Sequence, residues 1–125
     1  MKKPRPVNLN LTTISFPITA IISIMQRISG IMNIISIGIM LKLLNFSLSS
    51  PEKFKIIKMV LTTLYFKIIV WGILILILYH LIAGIRHILM DLRLITESKL
   101  SGTRSAYIVL IITLIFSLVI GVLIW

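Results

Sequence analysis

Apolar residues fall along this chain in three long blocks, at about Pro17–Phe46, Leu61–Leu89 and Ala106–Trp125, and short stretches rich in Ser, Lys, Arg and Glu separate them. Each block is long enough to cross about 30 Å of hydrocarbon as a helix. None shows the period-two alternation of a membrane barrel strand, and so few segments could not close a barrel. The pattern therefore predicts an all-α integral membrane protein with three transmembrane helices, at about 17–46, 61–91 and 105–125. They form a single transmembrane domain over residues 1–125.

The block edges carry their own signals. Ser15 or Phe16 followed by Pro17 marks the start of the first helix, because proline is tolerated where its missing N–H would be unpaired anyway. From Pro17 to Asn45 that helix would exceed about 40 Å, so its first turns lie at the interface. Arg27 then sits close to the membrane boundary, Ile28–Leu41 span the core, and Lys42 can snorkel outward. Ser47–Lys53 reads as a loop and a second helix start, with Ser50 as cap, Pro51 at the first helical position and Glu52 favouring the helix N-terminus. Arg93–Arg104, containing Ser101-Gly102, reads as the polar connection to the last helix.

Composition agrees with the pattern: 58% of the 125 residues are hydrophobic, and the mean hydropathy is +1.13, too apolar for a soluble domain of this size. Thirteen Lys and Arg against three acids give a net charge of +10. In a soluble protein that would suggest nucleic acid; here the cations cluster at helix ends and loops, where they meet lipid headgroups, and no nucleic-acid partner is expected. If the N-terminus is cytoplasmic, that side gathers Lys2, Lys3, Arg5, Arg93, Lys99 and Arg104, with Arg27 and Arg86 near it. The other side gathers Lys53, Lys55 and Lys58, with Lys42 and Lys67 near it. The balance favours a cytoplasmic N-terminus and a periplasmic C-terminus. The first sixteen residues have no apolar core and read as no cleavable signal peptide. Zero cysteines exclude disulfides, thiolate-held iron–sulfur clusters and covalent c-type haem from this chain.

Candidate chemistry concentrates in YHLIAGIRHILMD, residues 79–91. On a helix, Gly84, His87 and Asp91 fall within about 40° of His80, a single stripe. His80 lies roughly 16 Å from Asp91, near the bilayer midplane. An imidazole there suits a haem ligand or a proton relay, with a packed core histidine as the bland alternative. His80 and His87 cannot share one iron: they stand about 10 Å apart on one helix face, whereas axial ligands approach a porphyrin from opposite sides. A second ligand to a haem on His80 must come from another chain, or more weakly from methionine. Arg86 and His87 suit haem propionates or lipid phosphate. Gly84 would leave space for a flat macrocycle or for helix packing. On the first helix, Ser23 and Arg27 share a face and could hydrogen-bond a carbonyl-bearing, lipid-soluble ligand; snorkelling to phosphate is the plain reading of the arginine. Ser117 and Gly121 signal packing.

Together RPVNLNL, FPITAIISIMQRISG, SLSSPE, WGILILILYHLIAGIRHILMD and the C-terminal RSAYIVLIITLIFSLVIGVLIW resemble the cytochrome b membrane anchor, the larger of two, of bacterial succinate dehydrogenase, respiratory complex II. The resemblance covers nearly the whole chain. It implies that His80 is an axial ligand of a b-type haem shared with the smaller anchor subunit, with Arg27, Arg86 and His87 as candidates for propionate contact. Ser23 and Arg27 would match ubiquinone-site positions. It also implies flavoprotein and iron–sulfur subunits as partners that oxidise succinate, and a place in the bacterial inner membrane. Gln26 departs from enterobacterial members, which often have histidine there; a loosened haem environment is the expected consequence, although Gln26 can still donate a hydrogen bond. The competing expectations are a fumarate reductase anchor and a haem-free structural or transport subunit.

Overall fold

The computed structural model describes residue 10, residues 13–95 and residues 98–125. The N-terminal cations Lys2, Lys3 and Arg5 lie outside the described residues. Among the described residues, all regular structure is helical: α1 Ile18–Leu48, α2 Pro51–Leu61, α3 Leu64–Asp91 and α4 Lys99–Ile124. Three of the four, α1, α3 and α4, are long and apolar enough to cross a membrane, so this is a multi-pass membrane protein.

α1 begins one residue later than the proline rule predicts. Pro17 is the capping residue, extended at φ −64° and ψ 151°, and its carbonyl accepts from the Ala20 and Ile21 amides. Ser50 and Pro51 take their expected places: the Ser50 hydroxyl accepts from the Lys53 amide, and Pro51 opens α2. α2 is an element of its own, which the hydrophobic pattern merged into the approach to the second span. The break falls at Thr62 and Thr63, whose hydroxyls donate to the Met59 and Val60 carbonyls and so finish α2 before α3 starts. α4 starts at Lys99, about six residues before the expected 105, because the Ser98 hydroxyl caps the Ser101 amide and draws the polar residues 99–104 into helix. α3 ends in a Schellman arrangement. Arg93 is left-handed at φ 57°, and its amide and that of Leu94 donate to the Met90 and Leu89 carbonyls.

α3 packs on both α1 and α4. The buried centre is small, Ile22, Tyr79, Ala83, Ala106 and Val109, and most large aliphatic side chains point outward. That inversion of a soluble core is expected where lipid is the solvent and association comes from close packing and interhelical hydrogen bonds. Ala83 and Ala106 are completely buried, and at Gly102 an added Cβ would meet Thr19 of α1 at 3.4 Å. Polar ties cross the bundle, among them the Tyr79 hydroxyl donating to the Ile22 carbonyl at 3.0 Å and the Trp71 indole donating to the Ser117 carbonyl at 2.9 Å. Gly121 gives that indole its room, since a Cβ there would meet Trp71 at 3.4 Å.

Candidate functional site

α1 and α3 run antiparallel and leave an open groove of about 730 Å³ between them, lined by Ser23, Arg27, Gly30, Asn33, His80 and His87 among others. Its size is in the range of small-molecule clefts, roughly 300–1,000 Å³. Ser23, Arg27, His80 and His87, singled out along the sequence, thus meet in one place. Ser23 and Arg27 share their expected face one turn apart on α1, and His80 and His87 come from the facing stripe of α3.

His80 is half-buried, and its imidazole has a defined polarity. Nδ1 lies 3.1 Å from the Ser29 hydroxyl and 3.2 Å from the Gln26 carbonyl. The Ser29 hydroxyl spends its single proton on the same Gln26 carbonyl, at 2.7 Å. Both atoms facing Nδ1 are therefore acceptors, which assigns the proton to Nδ1 and leaves Nε2 with a free lone pair. An imidazole held in this tautomer by a backbone carbonyl is the arrangement metal-ligating histidines use. Gly30 is what allows the ring to lie against α1: a Cβ there would come within 3.0 Å of His80 Cε1.

Around this ring, Gly84 faces Gln26, whose amide nitrogen would be 3.5 Å from an added Cβ. Arg27 and His87 are exposed on the groove wall, towards the end of the bundle where α1 begins and α3 ends. They supply a guanidinium and an imidazole that can meet carboxylates or carbonyls there. Asp91, on the same stripe, is exposed and does not line the groove.

Arg86 is elsewhere, and this corrects its expected place beside His87. It turns to α4, where it is 8% exposed; its Nε donates to the Ser105 hydroxyl at 2.9 Å and its Nη2 to the Gly102 carbonyl at 3.2 Å. One residue along a helix is a rotation of about 100°, enough to carry the side chain to the opposite helix pair.

Sequence reasoning does not pick out Asn33, which lines the groove, or Ser29, which faces His80 Nδ1, whereas it places Gly30 on the Ser23–Arg27 face of the first helix. Ser29 and Asn33 did carry a signal, being polar in mid-span. The importance of Gly30 appears only once His80 is seen across from it.

The donor chemistry restricts what the groove can hold. Among the described residues no three His, Asp or Glu side chains come together, so a bare ion finds no cage there. One oriented imidazole fits instead an iron already held by four macrocycle nitrogens.

The family model described as succinate dehydrogenase/fumarate reductase transmembrane subunit matches residues 1–120 of this chain. Over 126 aligned residues, spanning all of both chains, the sequence is 41% identical to the succinate dehydrogenase cytochrome b556 subunit of Coxiella burnetii.

Proposed function

The chain belongs to the succinate dehydrogenase/fumarate reductase transmembrane subunit family, and from that premise we propose that it is the cytochrome b anchor through which a succinate dehydrogenase delivers electrons to ubiquinone. As a membrane-anchor subunit it ties the complex to the bilayer. The finer assignment is that His80 would be this chain's ligand to a haem b shared with the smaller anchor subunit. The flavoprotein and iron–sulfur subunits supply succinate oxidation, and the inner membrane of a bacterium is the compartment.

One observation carries this reading: His80 Nδ1 faces the Ser29 hydroxyl and the Gln26 carbonyl, and a proton held there between two acceptors leaves Nε2 available to a metal. Arg27 and His87, on the groove wall towards the end where α1 begins and α3 ends, would hold the propionates by charge-assisted hydrogen bonds. Arg86 is already engaged with Ser105 and Gly102 and serves the α3–α4 contact. Ser23 and Arg27 would receive the quinone carbonyls. When bound, the haem would supply a one-electron store beside the quinone; this chain's residues orient it, exclude water and hold quinone at the membrane boundary.

In the assembled complex, His80→Leu is expected to abolish or shift the low-spin b-type bands of the reduced-minus-oxidised spectrum, and His87→Leu to leave them nearly unchanged. An unaltered spectrum in His80→Leu would remove the ligand assignment.

A further inference from the structure

At the end of the bundle away from Arg27 and His87, a second cleft of about 440 Å³ lies between α1, α2 and α3. Its walls include Met40 and Leu44 of α1, Ile57 and Leu61 of α2, and Ile69 and Ile73 of α3. Ser47 is the one polar residue in the lining, and its hydroxyl is already spent on the Leu44 carbonyl at 2.7 Å. The interior therefore offers an occupant apolar contact alone. Bounded by three helices of this chain, it is a slot for a flexible apolar chain and not a face for another helix, which is about 10–12 Å across.

Cations flank the α2 edge of this slot. At about 100° per residue, Lys53 stands roughly 40° from Ile57 on one side of the cleft-facing stripe, and Lys58 roughly 60° from Leu61 on the other. Lys53 is held at the α1–α2 corner, with Nζ 5.0 Å from the centroid of the Phe46 ring, a contact that leaves its charge in place. Lys55 adds a third charge beside Lys58. Glu52 is the only acidic residue before Asp91, so the cluster keeps an unbalanced positive charge. Its depth also matters. α1 has 31 residues, about 46 Å of helix, and outruns the hydrocarbon layer of about 30 Å; its last turns and α2 reach the headgroup level. An apolar slot opening beside lysines at that depth matches a molecule with an acyl chain and an anionic head. A neutral lipid would fill the slot and give the lysines no countercharge, and free phosphate would meet the lysines and leave the slot empty.

We propose that the α1–α2–α3 cleft is a binding site for an anionic phospholipid, with one acyl chain between Leu44, Leu61 and Ile69 and the phosphate held by Lys53 and Lys58. The site lies at the opposite end of the bundle from His87 and Arg27, and it depends on neither the haem nor the quinone assignment. Bound there, the lipid joins α2 to the two spans it connects.

Two photoactivatable lipids with the same diazirine on the acyl chain, one a phosphatidylglycerol and one a phosphatidylcholine, test the site. Each is added as a minor component to phosphatidylcholine nanodiscs holding the whole complex. Phosphatidylglycerol should label residues 39–47 and 66–73 at least about fivefold more heavily, the preference expected from even one lysine near the headgroup. The double variant Lys53→Gln/Lys58→Gln changes two exposed side chains; it should erase that preference and leave phosphatidylcholine labelling as it was. Equal labelling of the unaltered complex by both lipids would make the occupant ordinary boundary lipid and overturn the proposal. A preference that survives the double substitution would overturn the role of the lysines. Absence of label from both lipids would show that protein covers the cleft, and would overturn the site itself.

Discussion

Gly30 sets how closely α1 can approach the His80 imidazole, and the space there is nearly used up. A methyl group at that position would sit 3.0 Å from Cε1, so Gly30→Ala pushes the ring by a few tenths of an ångström and strains its contacts with the Gln26 and Ser29 acceptors. The expected outcome is a shifted or weakened b-type spectrum and a loss of about 1–3 kcal/mol in stability, typical of overpacking. Gly38→Ala, where nothing lies within 4 Å of the new Cβ, is the matched control and should leave the spectrum alone. Ser23 and Arg27 test the quinone assignment. Were Arg27 only a headgroup anchor, Arg27→Lys would be silent, because an ammonium reaches phosphate equally well. If its planar fork holds a quinone oxygen, Arg27→Lys and Ser23→Ala should each lower succinate–quinone reductase activity about tenfold or more, roughly 1.4 kcal/mol or above. Haem content and succinate oxidation with a soluble acceptor should survive. The positions of His80, His87, Ser23 and Arg27 were legible in the sequence, because polar groups in a span are rare enough to stand out and helical spacing gives their faces. The tautomer of His80 was not, since it depends on Ser29 and a backbone carbonyl of another helix.

Helix ends followed local chemistry where side chains announce it and escaped the hydropathy pattern where they do not. Ser50-Pro51 was readable because cap and first-turn proline act within four residues. The α2–α3 break was missed because threonine hydroxyls turned back on their own carbonyls leave hydropathy almost unchanged. The early start of α4 was hidden by its polar first turns, which Ser98 makes helical. The same limit explains Arg86. Sequence adjacency to His87 suggested a shared role, but the helical rotation between neighbours sends Arg86 to Ser105 and Gly102 of α4. Its contribution therefore belongs to the α3–α4 pair: Arg86→Lys, which cannot reproduce the two-nitrogen contact, should destabilise the subunit by about 1–3 kcal/mol. Thermal dissociation of the purified complex would register that loss while the haem bands keep their position. A changed spectrum with normal thermal behaviour would return Arg86 to the haem.

At the scale of the whole molecule, the three spans place the groove mouth, with Arg27 and His87, at the end where α1 begins, α3 ends and α4 begins. Under the proposed function, a cytoplasmic iron–sulfur subunit would deliver electrons there only if the N-terminus is inside, as the eight-to-five distribution of Lys and Arg by side favours. A reporter fused after Trp125 should be active only in an exported form, and one inserted in the α3–α4 connection only in a cytoplasmic form; the reverse pattern would put the groove mouth on the wrong face. The three-span architecture was legible because apolar run length maps directly onto membrane thickness. The groove was not, since it exists only after α1 and α3 pair. The central claim, that Nε2 of His80 ligates haem iron, is tested most directly by chemical rescue. His80→Gly removes the ring and leaves a space of its shape, so the complex should lose its low-spin b-type spectrum and regain it when imidazole is added to the buffer. A low-spin spectrum that persists in His80→Gly without imidazole would contradict the claim.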